Sequence, residues 1–129
     1  MLAVDTNVIV RYLTGDDPTQ ARVARRIVDE NSVRVLPTVL LETEWVLRSV
    51  FGQSRAQIHA GLVAFIGLRT VSIEHPDRIA AALESFLSGL DFADALHVAY
   101  SADCEAFATF DRKLIAGARK AKAFKVRTL

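Results

Sequence analysis

MLAVDTN, residues 1–7, decides the fold, because four apolar residues are followed at once by Asp5, Thr6 and Asn7. An apolar run this short, ending at a polar cluster, predicts a buried β-strand whose carboxyl end carries Asp5. In open parallel sheets, ligands bind at that end of the strands. Asp5 is therefore a candidate for chemistry as well as for capping a helix.

The composition predicts one domain, residues 1–129, with a sizeable core, because 51% of the 129 residues are hydrophobic. No apolar stretch approaches the length of a membrane span, so we expect no membrane association. Cys104 is the only cysteine, which excludes an intrachain disulfide and a cysteine-based metal site. Because Met1 already belongs to the first predicted strand, we expect no signal peptide and a cytoplasmic location.

Short apolar runs alternate with helical patterns along the chain, which predicts an α/β fold. The expected architecture is a three-layer α/β/α sandwich with a central parallel sheet. Trp45 and the seven phenylalanines are predicted to lie in its core and not to form base-stacking platforms. The predicted strands are Leu2–Val4, Val33–Leu36, Arg69–Ile73, Ala106–Thr109 and Lys125–Arg127, and the predicted helix N-caps include Asp17, Thr38, Asp91 and Asp111.

Acids recur where helices begin after a strand or turn. Asp5, Asp94 and Asp111 occupy such positions, and Glu42 lies about one turn into the helix after the second strand. Because the carboxyl ends of parallel strands share one edge, we expect these four carboxylates to converge. Taken singly, each acid is also explained by capping or by the helix dipole.

Glu44 competes with Glu42 for the role of site residue. The two lie on opposite flanks of the apolar face of their helix, so they do not both point at one site. Glu42 is closer to the helix start and is our choice, which leaves Glu44 as an outer acid.

Clustered carboxylates repel one another and take up protons unless a cation neutralises them. Hard oxygen ligands favour Mg²⁺ or Mn²⁺, and such an ion can bind a phosphate and generate hydroxide from water. The acids therefore predict phosphodiester hydrolysis, with one or two ions. Thr6, Asn7 and Thr109 are placed to orient the acids or a water, or simply to form hydrogen bonds at helix starts. His97, one turn after Asp94, is predicted to be a surface or packed histidine.

The last part of the chain is basic, although the net charge is only +1. Residues 111–129 carry seven basic residues and one acid. Such a segment can contact phosphates or form a solvated surface, and composition does not decide between these roles. The phosphate-binding candidates nearest the last acid are Arg112, Lys113, Arg119 and Lys120.

Taken together, the motifs resemble those of a PIN domain, and more narrowly of a VapC-type toxin from a type II toxin–antitoxin pair. The resemblance spans essentially the whole chain and rests on DTNVIVRYL (5–13), LETEWVL (41–47), DFADALH (91–97) and TFDRK (109–113). It implies an α/β/α sandwich and a Mg²⁺- or Mn²⁺-dependent endoribonuclease. The acidic, metal-binding centre would be Asp5, Glu42, Asp94 and Asp111, supported by Thr6, Asn7 and Thr109.

The resemblance also implies a homodimer, a small VapB-like antitoxin that occludes the site, and a structured RNA substrate such as tRNA. The basic candidates would then hold RNA phosphates. In a looser alignment Asp91 can replace Asp94, although the Asp-Ala-Leu string favours Asp94.

Two other functions remain as alternatives. The first is a non-catalytic PIN-like module that binds RNA or protein, which the presence of all four acids disfavours. The second is a phosphoacceptor signalling domain, which needs paired acids after the first strand and an aspartate after the third. Here Asp5 leads into Thr6 and Asn7, and the third strand is followed by Glu74 and His75.

Overall fold

The computed structural model describes residues 1–123 and 125–129. Its helices and strands alternate along the chain and its strands are parallel, which confirms the predicted α/β class. The chain forms two compact units, Met1–Glu74 and His75–Leu129. The organisation into a single domain stays a prediction.

The first unit contains a three-stranded parallel sheet in the order β1-β2-β3. Leu2 pairs with Val33 and Val33 pairs with Val71. Parallel pairing places the carboxyl ends of these strands at one edge, where α1 and α3 begin. The strands are β1 (Leu2–Ala3), β2 (Val33–Val35) and β3 (Val71–Ile73), and the helices are α1 (Thr6–Thr14), α2 (Pro18–Glu30), α3 (Pro37–Ser49) and α4 (Arg55–Ile66).

The prediction that the first strand is buried is wrong for most of its length. Leu2 is 44% exposed and Met1 is 74% exposed, whereas Val4 is buried. β1 pairs only with β2 and is therefore an edge strand of this unit's sheet. The central strand β2 has the buried side chains instead, with Val33 and Val35 fully enclosed.

The second unit contains a two-stranded parallel sheet in which Phe107 pairs with Val126 and Thr109 pairs with Thr128. A cluster of buried apolar side chains from α6 and α7 includes Val98 and Leu114, and Phe107 packs against it. The elements are α5 (Pro76–Leu87), α6 (Phe92–Ala99), β4 (Phe107–Thr109), α7 (Arg112–Lys120) and β5 (Val126–Thr128). The predicted strand ends differ from these bounds by one or two residues, which is the usual uncertainty at element termini.

Three of the four predicted N-caps named above are confirmed. Asp17 accepts a hydrogen bond from the Gln20 N–H, and Asp91 and Asp111 cap α6 and α7 in the same manner. The prediction for Thr38 is wrong, because α3 begins at Pro37 and its N-cap is Leu36, without a side-chain hydrogen bond. Proline suits the first helical position, since its φ is already helical and its missing N–H would have had no partner there.

The prediction that the large aromatic side chains form the core is only partly confirmed. Phe65, Phe86 and Phe92 are buried. Trp45 is 54% exposed and Phe110 is 80% exposed, so the prediction is wrong for these two residues. Phe124 lies outside the described residues. Among the residues that are described, no helix is both long and apolar enough to cross a membrane.

Candidate active site

In the first unit, Thr6 connects two of the predicted acids. Asp5 is the N-cap of α1, and its carboxylate accepts a hydrogen bond of 2.8 Å from the Thr6 N–H. The Thr6 hydroxyl donates to Oε1 of Glu42, which lies 36 residues further along the chain. Thr6 is only 3% exposed, whereas both carboxylates are exposed. A buried threonine thus holds two solvent-facing carboxylates beside one another.

The strand pairing explains why residues so distant in sequence meet. β1 and β2 are neighbours and run parallel, so the helices that follow them both start at one edge of the sheet. Asp5 is the first residue before α1, and Glu42 lies in the second turn of α3. Each carboxylate also has a second oxygen that the bonds to Thr6 leave unused.

Glu44 has a different environment from Glu42. It is 2% exposed, and its carboxylate forms an ion pair of 2.9 Å with Nε of Arg48, one turn further along α3. This pairing explains how the carboxylate is accommodated in a buried position, since an unpaired buried charge is costly. The structure therefore separates the two acids as expected, with Glu42 next to Thr6 and Glu44 held elsewhere.

Asn7, predicted as a supporting residue, lies on another surface of the first unit. It is exposed and lines an apolar groove between α1 and α2 together with Val8, Val23 and Ile27. The groove has a volume of about 240 Å³. A role for Asn7 beside the acids stays a prediction.

The second unit groups the other two predicted acids with Asp91. Burial raises the pKa of Asp94, and the negative charges of Asp91 and Asp111 raise it further. His97 opposes these effects and lowers the pKa of Asp94. A cation beside Asp94 would relieve this electrostatic repulsion.

Asp111 is held by its capping role. Its Oδ1 accepts hydrogen bonds from the N–H groups of Lys113 and Leu114, at 2.9 and 3.2 Å. Its own N–H donates to the Thr109 hydroxyl at 2.9 Å. Asp111 therefore caps α7 through its carboxylate while its backbone N–H binds Thr109. The two interactions use different atoms and do not compete.

Asp91 acts as the cap of the helix that carries Asp94. Oδ2 of Asp91 accepts a hydrogen bond of 3.2 Å from the Asp94 N–H. The capping role of Asp91 is thus confirmed, whereas the choice of Asp94 as the site residue stays a prediction. Because Asp91 also raises the pKa of Asp94, it contributes to the negative potential there.

The environment of His97 agrees with the prediction of a surface or packed histidine one turn after Asp94. His97 is exposed, and its ring stacks on Phe107 with 6.2 Å between ring centroids and 9° between planes. Its effect on Asp94 shows that it lies within electrostatic range of that carboxylate. The signal available in the sequence was the spacing of three residues on one helix, which places the two side chains on the same face.

The basic candidates on α7 divide into two pairs. Arg112 and Arg119 line a groove of about 280 Å³ together with Ile115, Ala116 and Thr128. Positions seven apart lie on the same helix face, so the two guanidinium groups belong to one surface. Lys113 and Lys120 are exposed but are shifted by about 100° around α7. The groove thus combines two cations with a hydroxyl group.

A comparison with protein families decides the family. The sequence profile described as PIN domain matches residues 2–120. The chain belongs to the PIN domain family. PIN domains are typically nucleases, so membership supports a hydrolase acting on nucleic acids. A comparison with curated protein sequences finds no significant match.

PIN domains generally use divalent metal ions, and the side chains present here fit such an ion chemically. The candidates are carboxylates, the hard oxygen donors that Mg²⁺ and Mn²⁺ prefer. Within residues 1–123 and 125–129, no group of three or more His, Cys, Asp or Glu side chains is positioned to hold a metal ion. Mg²⁺ usually keeps several water ligands and binds through one or two carboxylates, so a pair such as Asp5 and Glu42 fits its requirements.

Proposed function

We propose that the protein is a metal-dependent endoribonuclease and the toxin of a type II toxin–antitoxin pair. It hydrolyses phosphodiester bonds of structured RNA, such as tRNA. The observation that carries the proposal is the connection from Asp5 through Thr6 to Glu42, in a chain that matches the PIN domain family over residues 2–120. The toxin role rests on the resemblance of the four acidic motifs to those of VapC-type toxins.

The proposed catalytic residues are Asp5, Glu42, Asp94 and Asp111. These carboxylates would hold Mg²⁺ or Mn²⁺, which when bound supplies the positive charge that activates water and stabilises the leaving oxygen. Thr6 donates its hydroxyl hydrogen to Glu42 and thereby holds that carboxylate in one orientation. The Thr109 hydroxyl accepts a hydrogen bond from the backbone N–H of Asp111 and thereby holds the backbone from which that carboxylate projects.

Phosphate binding is assigned to the basic residues of α7. Arg112 and Arg119 share a groove with the Thr128 hydroxyl, and guanidinium groups bind phosphate oxygens in a bidentate manner. Lys113 and Lys120 add positive charge on the neighbouring side of the helix. Arginine and lysine contacts to phosphate supply sequence-independent affinity for RNA.

The proposal is tested with Asp5→Asn. This change keeps an acceptor oxygen for the Thr6 N–H but removes the negative charge, so we expect the fold to remain and RNA cleavage to fall to background. Purified wild-type protein and variant are incubated with total RNA and Mg²⁺ or Mn²⁺, and new RNA ends are sequenced. Growth after induced expression is recorded in parallel, and only the wild type should arrest it.

Asp29→Asn is a matched control, because Asp29 is an exposed acid on α2. It should cleave as the wild type does. Full cleavage by nuclease-free Asp5→Asn would refute the catalytic assignment, whereas RNA binding without cleavage by the wild type would favour the non-catalytic binding module.

Partners follow from the same proposal. We assign a homodimer and a small VapB-like antitoxin that occludes the acids. Trp45 on α3 and Val50, the C-cap of that helix, are 54% and 67% exposed and are candidates for contact with another chain. The inactive Asp5→Asn protein permits a measurement of molar mass by light scattering, and a purely monomeric species would contradict the homodimer.

A further inference from the structure

Phe110 is the most exposed of the large hydrophobic side chains in the described part of the chain, at 80%. Burial of such a side chain stabilises a folded protein, and Phe110 forgoes most of that contribution. Phe107, three residues earlier, does pack against the apolar cluster of the second unit. Packing of the chain thus does not account for an aromatic ring at position 110.

The backbone on both sides of Phe110 is held in place. Thr109, before it, accepts a hydrogen bond from the Leu129 N–H at 3.0 Å through its carbonyl oxygen. Asp111, after it, donates its N–H to the Thr109 hydroxyl and caps α7. The ring therefore projects from a segment that is ordered before any ligand arrives, so little conformational entropy is lost when the ring is contacted.

The neighbours of Phe110 provide the charges that RNA requires. Asp111 is a proposed catalytic acid, and Arg112 and Lys113 are exposed cations. An exposed aromatic ring beside cations is the combination by which proteins bind unpaired nucleotides, since the ring stacks on a base while the cations contact phosphates. Unpaired bases stacked on aromatic side chains are also the main targets of specific RNA recognition.

We infer that Phe110 stacks on an unpaired base next to the phosphodiester bond that is cut. The inference rests on the proposed ribonuclease function and adds a contact to a base to the proposed contacts with phosphates. Asp111 acts at the phosphate, and Phe110, one residue away, holds the adjoining base. Phe110 is a specificity-determining residue that binds substrate without taking part in bond breaking.

The test uses a short hairpin RNA that contains the cleavage site found with the wild-type protein. Binding is measured by fluorescence anisotropy in the inactive Asp5→Asn protein, so that affinity is obtained separately from turnover. Adding Phe110→Ala should weaken binding about 5- to 150-fold, the range for loss of one base–aromatic stack. Phe110→Trp should bind as tightly as Phe110, because an aromatic ring is retained.

An abasic scan identifies the stacked base. A single abasic nucleotide next to the cleaved bond should weaken binding to the protein that retains Phe110 by about the same factor as Phe110→Ala does. In the Phe110→Ala protein, the same abasic nucleotide should cause no further loss of affinity. Leu87→Ala is the control, since Leu87 is a 43% exposed apolar side chain at the end of α5 in the same unit. It should leave affinity unchanged, and thermal melts should show all variants folded.

The outcomes distinguish this inference from the proposed function. If the wild type cleaves RNA but Phe110→Ala does not weaken RNA binding, the stacking role is wrong and the nuclease function stands. The same conclusion follows if the abasic nucleotide and Phe110→Ala weaken binding independently, so that their two factors multiply. If Phe110→Ala instead lowers the molar mass measured by light scattering and loses affinity equally for intact and abasic RNA, Phe110 contacts protein and the inference is overturned. If the wild type neither cleaves nor binds RNA, both proposals fail.

Discussion

At the scale of single residues, Thr6 is the side chain on which the first carboxylate pair depends. Its backbone N–H binds Asp5 and its hydroxyl binds Glu42, and it is buried where the two acids are exposed. Hydrogen bonds to charged groups contribute about 1.5–3 kcal/mol, more than those between neutral groups. The effect of Thr6 on catalysis therefore passes through the orientation of Glu42, and Thr6 is a positioning residue.

Thr6→Val removes the hydroxyl at nearly constant shape, so we expect cleavage to fall about tenfold or more. The loss should appear in kcat with little change in KM, because Glu42 loses its orientation while RNA contacts are unaffected. Thr6→Ser should restore most of the rate. Thr14→Val is the control, since Thr14 donates to the Val10 carbonyl oxygen at the other end of α1. A kcat for Thr6→Val equal to the wild-type value would refute the positioning role.

The ionisation of Asp94 affects the stability of the folded protein. The pKa of Asp94 in the folded protein is raised by burial and by the negative charges of Asp91 and Asp111. Asp94 therefore loses its proton more readily in the unfolded chain than in the folded protein. The free energy of unfolding is therefore highest below the pKa that Asp94 has in the unfolded chain. It decreases as the pH rises through the higher pKa that Asp94 has in the folded protein. At neutral pH, without divalent ions, the negative charge of Asp94 therefore destabilises the fold.

Asp94→Asn should raise the melting temperature at pH 7 in EDTA by a small amount, about 1–3 °C, because Asp94 is only partly buried and solvent weakens the repulsion. The difference from the wild type should disappear well below the ordinary aspartate pKa of 3.8, where the wild-type carboxyl is protonated. Melting curves recorded across this pH range provide the measurement. A variant that melts below the wild type at pH 7 would contradict the assigned repulsion.

At the scale of secondary-structure elements, the start of α7 combines a structural and a proposed catalytic role. Asp111 satisfies two backbone N–H groups of the first turn, and its negative charge interacts favourably with the helix dipole. The same helix then presents Arg112 and Arg119 on one face, along the groove with Thr128. One element thus connects an acid with the phosphate-binding surface proposed beside it.

The two roles of Asp111 are separated by two substitutions. Asp111→Ala should lower the free energy of unfolding by about 1 kcal/mol, because the capping acceptor is lost. Asp111→Asn keeps an acceptor oxygen, so its stability should lie within a few tenths of a kcal/mol of the wild type. Urea unfolding measures both values. RNA cleavage should be lost in both variants, and substantial activity of Asp111→Asn would show that the charge is dispensable.

At the scale of the whole molecule, the charge is unevenly distributed along the chain. Seven basic residues follow Asp111, whereas the net charge is only +1, so residues 1–110 are acidic on balance. Affinity for RNA that depends on a few phosphate contacts should decline with salt concentration. The number of contacts can be read from the slope of log K against log salt concentration.

Replacing Arg112 and Arg119 together by Gln should make the salt slope for single-stranded RNA shallower by about 1.4, or 0.7 for each lost phosphate contact. The matched control replaces Arg22 and Arg26, two exposed arginines of α2, so that net charge is reduced equally. Equilibrium binding at several salt concentrations measures the slope. If the salt slope changes equally in the two double variants, RNA affinity depends only on the net charge of the protein. The groove on α7 would then not be a specific binding site for phosphates.

Much of the local structure could be predicted from residue order. Asp17, Asp91 and Asp111 were identified as caps because a capping bond joins residues two or three apart in the chain. The start of α3 was predicted two residues late, because Pro37 occupies the first helical position and Leu36, not Thr38, is the N-cap. The exposure of Trp45 and Phe110 could not be predicted, since it depends on which distant side chains cover them.

The sequence by itself determined the α/β class, most helix starts and the set of candidate acids. These properties depend on short-range periodicity, capping and residue chemistry, which are written in consecutive positions. Only the tertiary structure decided that Thr6 binds Glu42 while Glu44 pairs with Arg48, and that Phe110 faces solvent. Those outcomes depend on the parallel pairing of β1 with β2 and on packing between elements, which bring together residues that are remote in the chain.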